Sequence, residues 1–247
     1  MTSVDLRVGP RPVAVLLLAV AVAAWVSTAV VARRVGRMPG TMELSLLGFL
    51  PVWALMMAAM MVPSVVPVAS LYVRTFQSRR YQRVGAFAAG YLLVWVAVGV
   101  PAYGLATVAD GLTRDHPTGA TVMAAALLAA AGIYQLTPLK ERCLVRCRSP
   151  LALLFRYASF RGRLRDVRAG LHHAAVCVAC CLTLMALLVA FGLMNVPAML
   201  GLAGVVLLEK VAPRGRLVAR LTGAGALVVA VVVLWEPQLA PGLHATM

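Results

Sequence analysis

Residues 44–73 read LSLLGFLPVWALMMAAMMVPSVVPVASLYV, a stretch without one charged side chain. A helix of about 20 apolar residues can cross a bilayer, since each residue adds roughly 1.5 Å along the axis. The stretch therefore predicts a membrane span. Its length and its three prolines, Pro51, Pro63 and Pro67, predict a helix that is too long and too interrupted to be straight.

The rest of the chain continues this pattern. Of its 247 residues, 62% are hydrophobic and 13% are charged, and the charged share is about half that of a soluble domain. This composition excludes a soluble globular protein, a disordered chain and a nucleic-acid binder with an apolar core. Further apolar stretches predict helices at 13–32, 84–108, 118–139, 171–193, 198–211 and 217–235. The predicted fold is an all-α, polytopic transmembrane helix bundle of about seven spans.

Three regions follow from these spans. Residues 1–43 hold an N-terminal transmembrane helix, predicted to remain uncleaved, and an outer loop. Residues 44–236 form the helix-bundle core, which carries every candidate metal-site motif. Residues 237–247 form a short outer tail.

The excess of positive charge predicts how the bundle is oriented. The chain has 23 Lys and Arg against 8 Asp and Glu. Nineteen of these basic residues fall in segments that share one side of a seven-span bundle, namely 1–12, 74–83, 140–170 and 209–220. The positive-inside rule assigns that side to the cytoplasm. We therefore expect a multi-pass protein of the bacterial inner membrane with its N-terminus inside and its C-terminus outside.

The loop at 140–170 is the largest predicted cytoplasmic feature. Its arginines lie among Phe155, Tyr157 and Phe160, and such a basic aromatic segment favours contact with anionic lipid. An ordinary orientation-setting loop needs the same charge. The expected partners are the lipid bilayer, anionic lipid at this loop and no nucleic acid. A homo-oligomer or a larger membrane complex stays open.

A methionine cluster lies in the middle of the opening stretch. At 100° per residue, Met56, Met57, Met60 and Met61 fall within an arc of about 140° on one helix face. A thioether is a soft, neutral donor that suits Cu(I), and it costs less to bury in lipid than a carboxylate does. The alternative is that methionine serves as adaptable packing material between helices.

A second cluster lies on the helix predicted at 171–193. One face of this helix carries His173, Cys177, Cys180, Cys181 and Met185. These side chains extend too far along the axis to share one ion. Cys177 with Cys180 or Cys181 can share one, with further ligands from another helix and His173 as a ligand nearer the cytoplasm. The alternative is that buried cysteine acts as a small hydrophobe.

Two further features lie at the predicted cytoplasmic edge. Cys143 and Cys147 are four residues apart, which suits a metal hand-off pair, a redox-sensitive pair or two residues of a packed helix face. A reducing compartment disfavours a disulfide there. Glu209 is a candidate ligand or proton carrier, but pairing with Lys210 or a neighbouring arginine is the favoured interpretation.

No enzyme signature is present. The chain has no phosphate-cradling glycine motif, no His-Glu-x-x-His pair and no two acids on one face of a membrane helix. We therefore name no catalytic residue. Whether the protein is an enzyme stays open, with the sequence leaning against it.

Several short motifs together resemble a bacterial family of predicted metal-binding integral membrane proteins, a domain of unknown function. The motifs are Trp53–Ser64, Gly132–Lys140, Cys143–Pro150, Cys177–Met185, Gly192–Asn195 and Glu209-Lys210. Where the family pattern often has Gly-Cys-Cys-Trp, this chain has Ala179-Cys-Cys-Leu182. The resemblance implies metal binding but no reaction and no transported species.

The resulting hypothesis is a soft-metal site between the second and fifth predicted helices. Cu(I) fits the donors best and Zn(II) is second, and the role would be metal transport, delivery or sensing. The predicted metal ligands are Met56, Met57, Met60, Met61, His173, Cys177, Cys180, Cys181 and Met185. The alternatives are a permease for a small organic solute and a structural subunit of a membrane complex that binds no metal.

Overall fold

A computed structural model describes residues 11–35, 40–74 and 79–243, and all of the regular structure there is helical. The helices are α1 Arg11–Val35, α2 Leu46–Arg74, α3 Arg80–Asp115, α4 Pro117–Leu136, α5 Pro138–Cys147, α6 Pro150–Ala158, α7 Arg165–Phe191, α8 Val196–Val211 and α9 Gly215–Val232. A short 3-10 helix follows at Pro237–Leu239. The all-α fold is thus confirmed for this part of the chain. The extreme ends, 1–10 and 244–247, lie outside the described residues.

Six of these helices are long and apolar enough to cross a membrane: α1, α2, α3, α4, α7 and α9. They are compatible with a multi-pass membrane protein. The predicted sixth span, 198–211, corresponds to α8, which has 16 residues and is shorter than the roughly 20 that a span needs. The count of seven is therefore not confirmed, and the orientation stays a prediction.

The three prolines of the second span do not end the helix, and the expectation that this helix is not straight stays a prediction. α2 is one continuous helix of 29 residues with Pro51, Pro63 and Pro67 inside it. Proline is tolerated in membrane helices when neighbouring side chains and helices satisfy the freed backbone groups. Between Pro63 and Pro67, the Ser64 hydroxyl donates to the carbonyl of Met61 at 2.8 Å.

Close contact between α3 and α7 organises the centre of the bundle. A Cβ added at Gly170 would collide with the backbone carbonyl of Phe87, and one added at Gly90 would collide with the carbonyl of Val167. Small residues allow membrane helices to approach this closely. The contact brings Tyr91 of α3 alongside the cysteine-bearing face of α7.

Two capping residues mark where α5 and α8 begin. The predicted fourth span ends at Leu136, three residues early, because Pro138 opens a new helix. The Thr137 side chain caps α5 by accepting from the backbone N–H of Lys140 at 3.2 Å. Asn195 caps α8 in the same manner. Both polar residues thus have structural roles.

The basic loop contains the short amphipathic helix α6. Leu153 and Tyr157 are buried, whereas Leu151 and Phe155 are exposed. Burial and the nearby Cys147 and Tyr72 raise the pKa of the Tyr157 hydroxyl, while Arg156 opposes the shift. Contact of this loop with anionic lipid stays a prediction.

Candidate metal centre

Cys177 and Cys181 form a buried thiol pair one turn apart on α7. Their sulfurs are 3.7 Å apart, and neither side chain is exposed. The Cys181 thiol donates to the backbone carbonyl of Cys177 at 2.8 Å. The helical spacing of four residues therefore aims both thiols into the same volume.

A lysine from α8 lies against this pair. The Lys210 ammonium donates to the sulfur of Cys177 at 2.9 Å and to the hydroxyl of Ser64 on α2 at 3.0 Å. The hydroxyl of Tyr91 lies 3.1 Å from the same sulfur. We call Cys177, Cys181, Lys210, Tyr91 and Ser64 the thiol–lysine cluster. A thiolate is the ligating form of cysteine, and an adjacent ammonium stabilises its negative charge.

Ser64 connects the cluster to the methionine face of α2. At 100° per residue, Met57 lies about 20° from Ser64, Met60 about 40°, Met61 about 60° and Met56 about 80°. All four thioethers are buried. The side of α2 that contacts Lys210 is therefore the side that carries the methionines.

Counting along ideal helix axes predicts similar levels for the methionine and cysteine faces. α2 and α7 run antiparallel, because Tyr72 donates to Asp166 at 2.5 Å at one end and Ser64 is bridged to Cys177 through Lys210 further along. From Ser64 towards the N-terminus of α2, Met61 and Met60 lie about 4.5 and 6 Å along the helix axis. From Cys177 towards the C-terminus of α7, Cys180 and Cys181 also lie about 4.5 and 6 Å along the axis. The same rise per residue predicts that Met57 and Met56 are near the level of Met185.

Cys180 has a different partner from its two neighbours. It lies near Cys147 at the end of α5, and this neighbour together with burial raises the pKa of the Cys147 thiol. The sulfur of Cys147 also lies 3.6 Å from the carbonyl of Val176. Of the two pairings that the sequence left open for Cys177, the structure therefore brings Cys177 together with Cys181 and turns Cys180 towards α5. Cys143 lies beside the hydroxyl of Tyr134 instead.

His173 lies one turn from Cys177 among aromatic rings. Its ring centroid is 5.8 Å from that of Phe87 and 5.7 Å from that of Tyr91. Its Nδ1 has no hydrogen-bond partner in the described part of the chain. His173 and Met185 are both buried, on the two sides of the thiol pair along α7.

A buried ion pair anchors α8 beside the cluster. The Lys140 ammonium and the Glu209 carboxylate are 2.6 Å apart, and each side chain is 1% exposed. Lys140 also donates to the carbonyl of Cys180 at 2.7 Å, and the Gln135 amide donates to Glu209. Removing one partner of such a pair leaves an uncompensated buried charge. The network therefore holds α4, α5, α7 and α8 in register.

This network corrects the sequence-based interpretation of Glu209. The favoured partner was Lys210 or a neighbouring arginine, but its side chain pairs with Lys140. The signal was available, because residues one apart on a helix do not face each other. The roles of Lys210, Tyr91 and Ser64 had no comparable signal, since each depends on contacts between distant helices.

The donor set fits a soft cation better than a hard one. Across residues 11–35, 40–74 and 79–243, no three His, Cys, Asp or Glu side chains are grouped to hold an ion. The soft donors of the described chain include the Cys177–Cys181 thiol pair and the buried thioethers of α2, and both kinds of donor suit Cu(I). Two metal–sulfur bonds of roughly 2.3 Å hold sulfurs about 3.8 Å apart at a tetrahedral angle. The 3.7 Å between Cys177 and Cys181 matches that span.

The comparisons with known proteins point to copper. A family model described as PpoB2, copper chaperone, matches residues 50–233. No curated protein and no solved structure has a significant match. The matched stretch covers most of the chain and includes both capping residues, the methionine face and all five cysteines.

Proposed function

The chain belongs to the PpoB2 copper-chaperone family, and from that premise we propose that it binds Cu(I) within the membrane and hands it on. The ion is cargo, and its site is the Cys177–Cys181 pair with thioethers of the α2 methionine face. The observation that supports the proposal most is the buried thiol pair beside Lys210, whose ammonium also contacts Ser64 on the methionine-bearing side of α2.

The charge of this site favours a monovalent soft ion. Two thiolates with one Cu(I) carry a net charge of −1, which the Lys210 ammonium offsets. Binding releases the thiol protons, and each sulfur donates an electron pair to the ion without any change of oxidation state. Zn(II) is the second candidate, since thiolates also bind zinc. His173 and Met185 supply further donor atoms on either side of the Cys177–Cys181 pair along α7.

The proposed setting is a bacterial inner membrane, and the predicted orientation places the Lys210 side of the cluster nearer the cytoplasm. A site built from neutral thioethers and few charges suits passage through an apolar medium. Delivery, transport and sensing share this binding step. The family description favours delivery.

Copper content tests the proposal. The full chain is purified from copper-supplemented cells as wild type, as Cys177→Ser/Cys181→Ser and as the control Cys143→Ser, whose thiol lies outside the cluster. We expect copper in the wild type and the control, and about one equivalent less in the double variant. Absent copper in the wild type, or equal copper in all three proteins, would contradict the proposal.

A further inference from the structure

A basic cavity lies where the end of α5 meets the turn between α8 and α9. Its volume is about 430 Å³, and apolar side chains of α5 and α9 form part of its lining. The rest of the lining is strongly basic, with four arginines: Arg148, Arg214, Arg216 and Arg220. Three of them follow α8 in the chain, so that the cavity is distinct from the basic loop at 140–170. Positive charge is thus concentrated in one concave site.

Arg148 ties the wall of this cavity to the end of α8. Its guanidinium donates to the carbonyl of Glu209 at 2.8 Å and to the carbonyl of Pro213 at 3.4 Å. Arg148 itself caps the C-terminus of α5. The hydrogen bonds therefore hold α5 against the α8–α9 turn, and a wall that is already ordered lowers the cost of binding a ligand.

The arginines of the cavity are not neutralised by carboxylates. Arg216 forms an exposed ion pair with Glu141 at 2.9 Å. Among the residues that the structure describes, Arg214 and Arg220 form no ion pair, and both side chains are exposed. A guanidinium is a planar fork of N–H donors that matches the oxygens of a phosphate. The cavity is therefore suited to a phosphate group.

An apolar stripe on α9 begins at the same cavity. Leu217 lines the cavity, and at 100° per residue Leu221 and Val228 lie within about 40° of it around the helix. These three side chains are 48%, 63% and 62% exposed, and they extend over roughly 16 Å of the helix axis. Because α9 is among the helices that can span a membrane, the stripe is placed to contact a lipid acyl chain whose headgroup lies in the cavity.

We propose that this cavity binds the phosphate of an anionic phospholipid, with an acyl chain along the α9 stripe. Basic pockets between membrane helices on the cytoplasmic side bind such headgroups, and the predicted orientation places the cavity on that side. Inorganic phosphate offers the same oxygens but no acyl chain, and the apolar stripe favours the lipid. The inference does not depend on the metal cargo, because the cavity shares no residue with the thiol–lysine cluster.

Lipid binding by the delipidated full chain tests the inference. Protein in a non-ionic detergent is titrated by calorimetry with dioctanoyl phosphatidylglycerol, dioctanoyl phosphatidylcholine and inorganic phosphate. The test variant is Arg214→Gln/Arg220→Gln. The control is Arg161→Gln/Arg163→Gln, which removes the same charge from exposed positions of the loop at 140–170. Melting temperatures check that each variant is folded, and the single variants replace the double variant if it is not.

The cavity and the lipid are tested separately by these titrations. We expect the wild type and the control to bind phosphatidylglycerol more tightly than either other ligand, and the test variant to bind it at least about tenfold more weakly. Equal weakening in both double variants would overturn the cavity, because the attraction would then depend on net charge alone. Equal wild-type affinity for phosphatidylglycerol and for phosphatidylcholine or inorganic phosphate would overturn the anionic lipid as the ligand.

Discussion

Replacing Lys140 by methionine removes the cation of the buried ion pair and keeps most of the side-chain volume. The Glu209 carboxylate is then left 1% exposed with only the Gln135 amide as a side-chain partner. Breaking a buried pair in this way costs about 3–5 kcal/mol. For a chain of this size, 1 kcal/mol corresponds to roughly 2–4 °C in melting temperature. We therefore expect Lys140→Met to lower the melting temperature by about 6–20 °C.

An exposed ion pair provides the matched control. Arg216 and Glu141 are 2.9 Å apart, but their side chains are 61% and 38% exposed, and exposed pairs contribute at most about 1 kcal/mol. Thermal unfolding in one detergent compares Lys140→Met, Arg216→Gln and Lys140→Met/Glu209→Gln. We expect a large shift, a small shift and a partial recovery, in that order. Equal shifts for the first two variants would refute the argument that burial decides the cost.

Three further predictions follow from packing and exposure. Gly170→Ala pushes a methyl group into a backbone carbonyl of α3. We therefore expect a lower melting temperature in thermal unfolding. An unchanged melting temperature would argue against the close contact between α3 and α7. Phe155→Trp adds an exposed indole on α6. We expect brominated lipid to quench its fluorescence more in anionic than in zwitterionic vesicles. Equal quenching would count against contact with anionic lipid. Replacing Met57, Met60 and Met61 by leucine conserves side-chain volume but removes three thioethers. We expect the Cu(I) affinity, measured by competition with a chelator, to fall at least about tenfold. An unchanged affinity would show that these methionines are not ligands.

The sequence was sufficient to locate the six long apolar helices and to group the α7 thiols on one helix face. Apolar length alone locates the spans, and helical periodicity groups the thiols of α7 on one face. The continuous α2 was not predictable from proline count, because the groups that satisfy a proline break come from side chains and neighbouring helices. α8 was taken for a span because its composition is apolar, although its length is short.

The partners of the thiols could not be predicted, because they depend on tertiary contacts. Periodicity assigns Cys177, Cys180 and Cys181 to one face, but that face is wide enough to contact α3, α5 and α8 at once. Lys210 lies 33 positions from Cys177 and Tyr91 lies 86 away. A single sequence carries no signal for such pairs, whereas the Glu209–Lys140 pairing was at least open to the argument that adjacent helical residues diverge.

The central claim is that sulfur alone holds Cu(I) inside the helix bundle. X-ray absorption at the copper edge, on the full chain loaded with one equivalent of Cu(I), measures the donor atoms directly. We expect a first shell of sulfur only, which loses sulfur neighbours in Cys177→Ser/Cys181→Ser and stays unchanged in Cys143→Ser. A first shell of nitrogen or oxygen in the wild type, or an identical sulfur shell in the double variant, would contradict the claim.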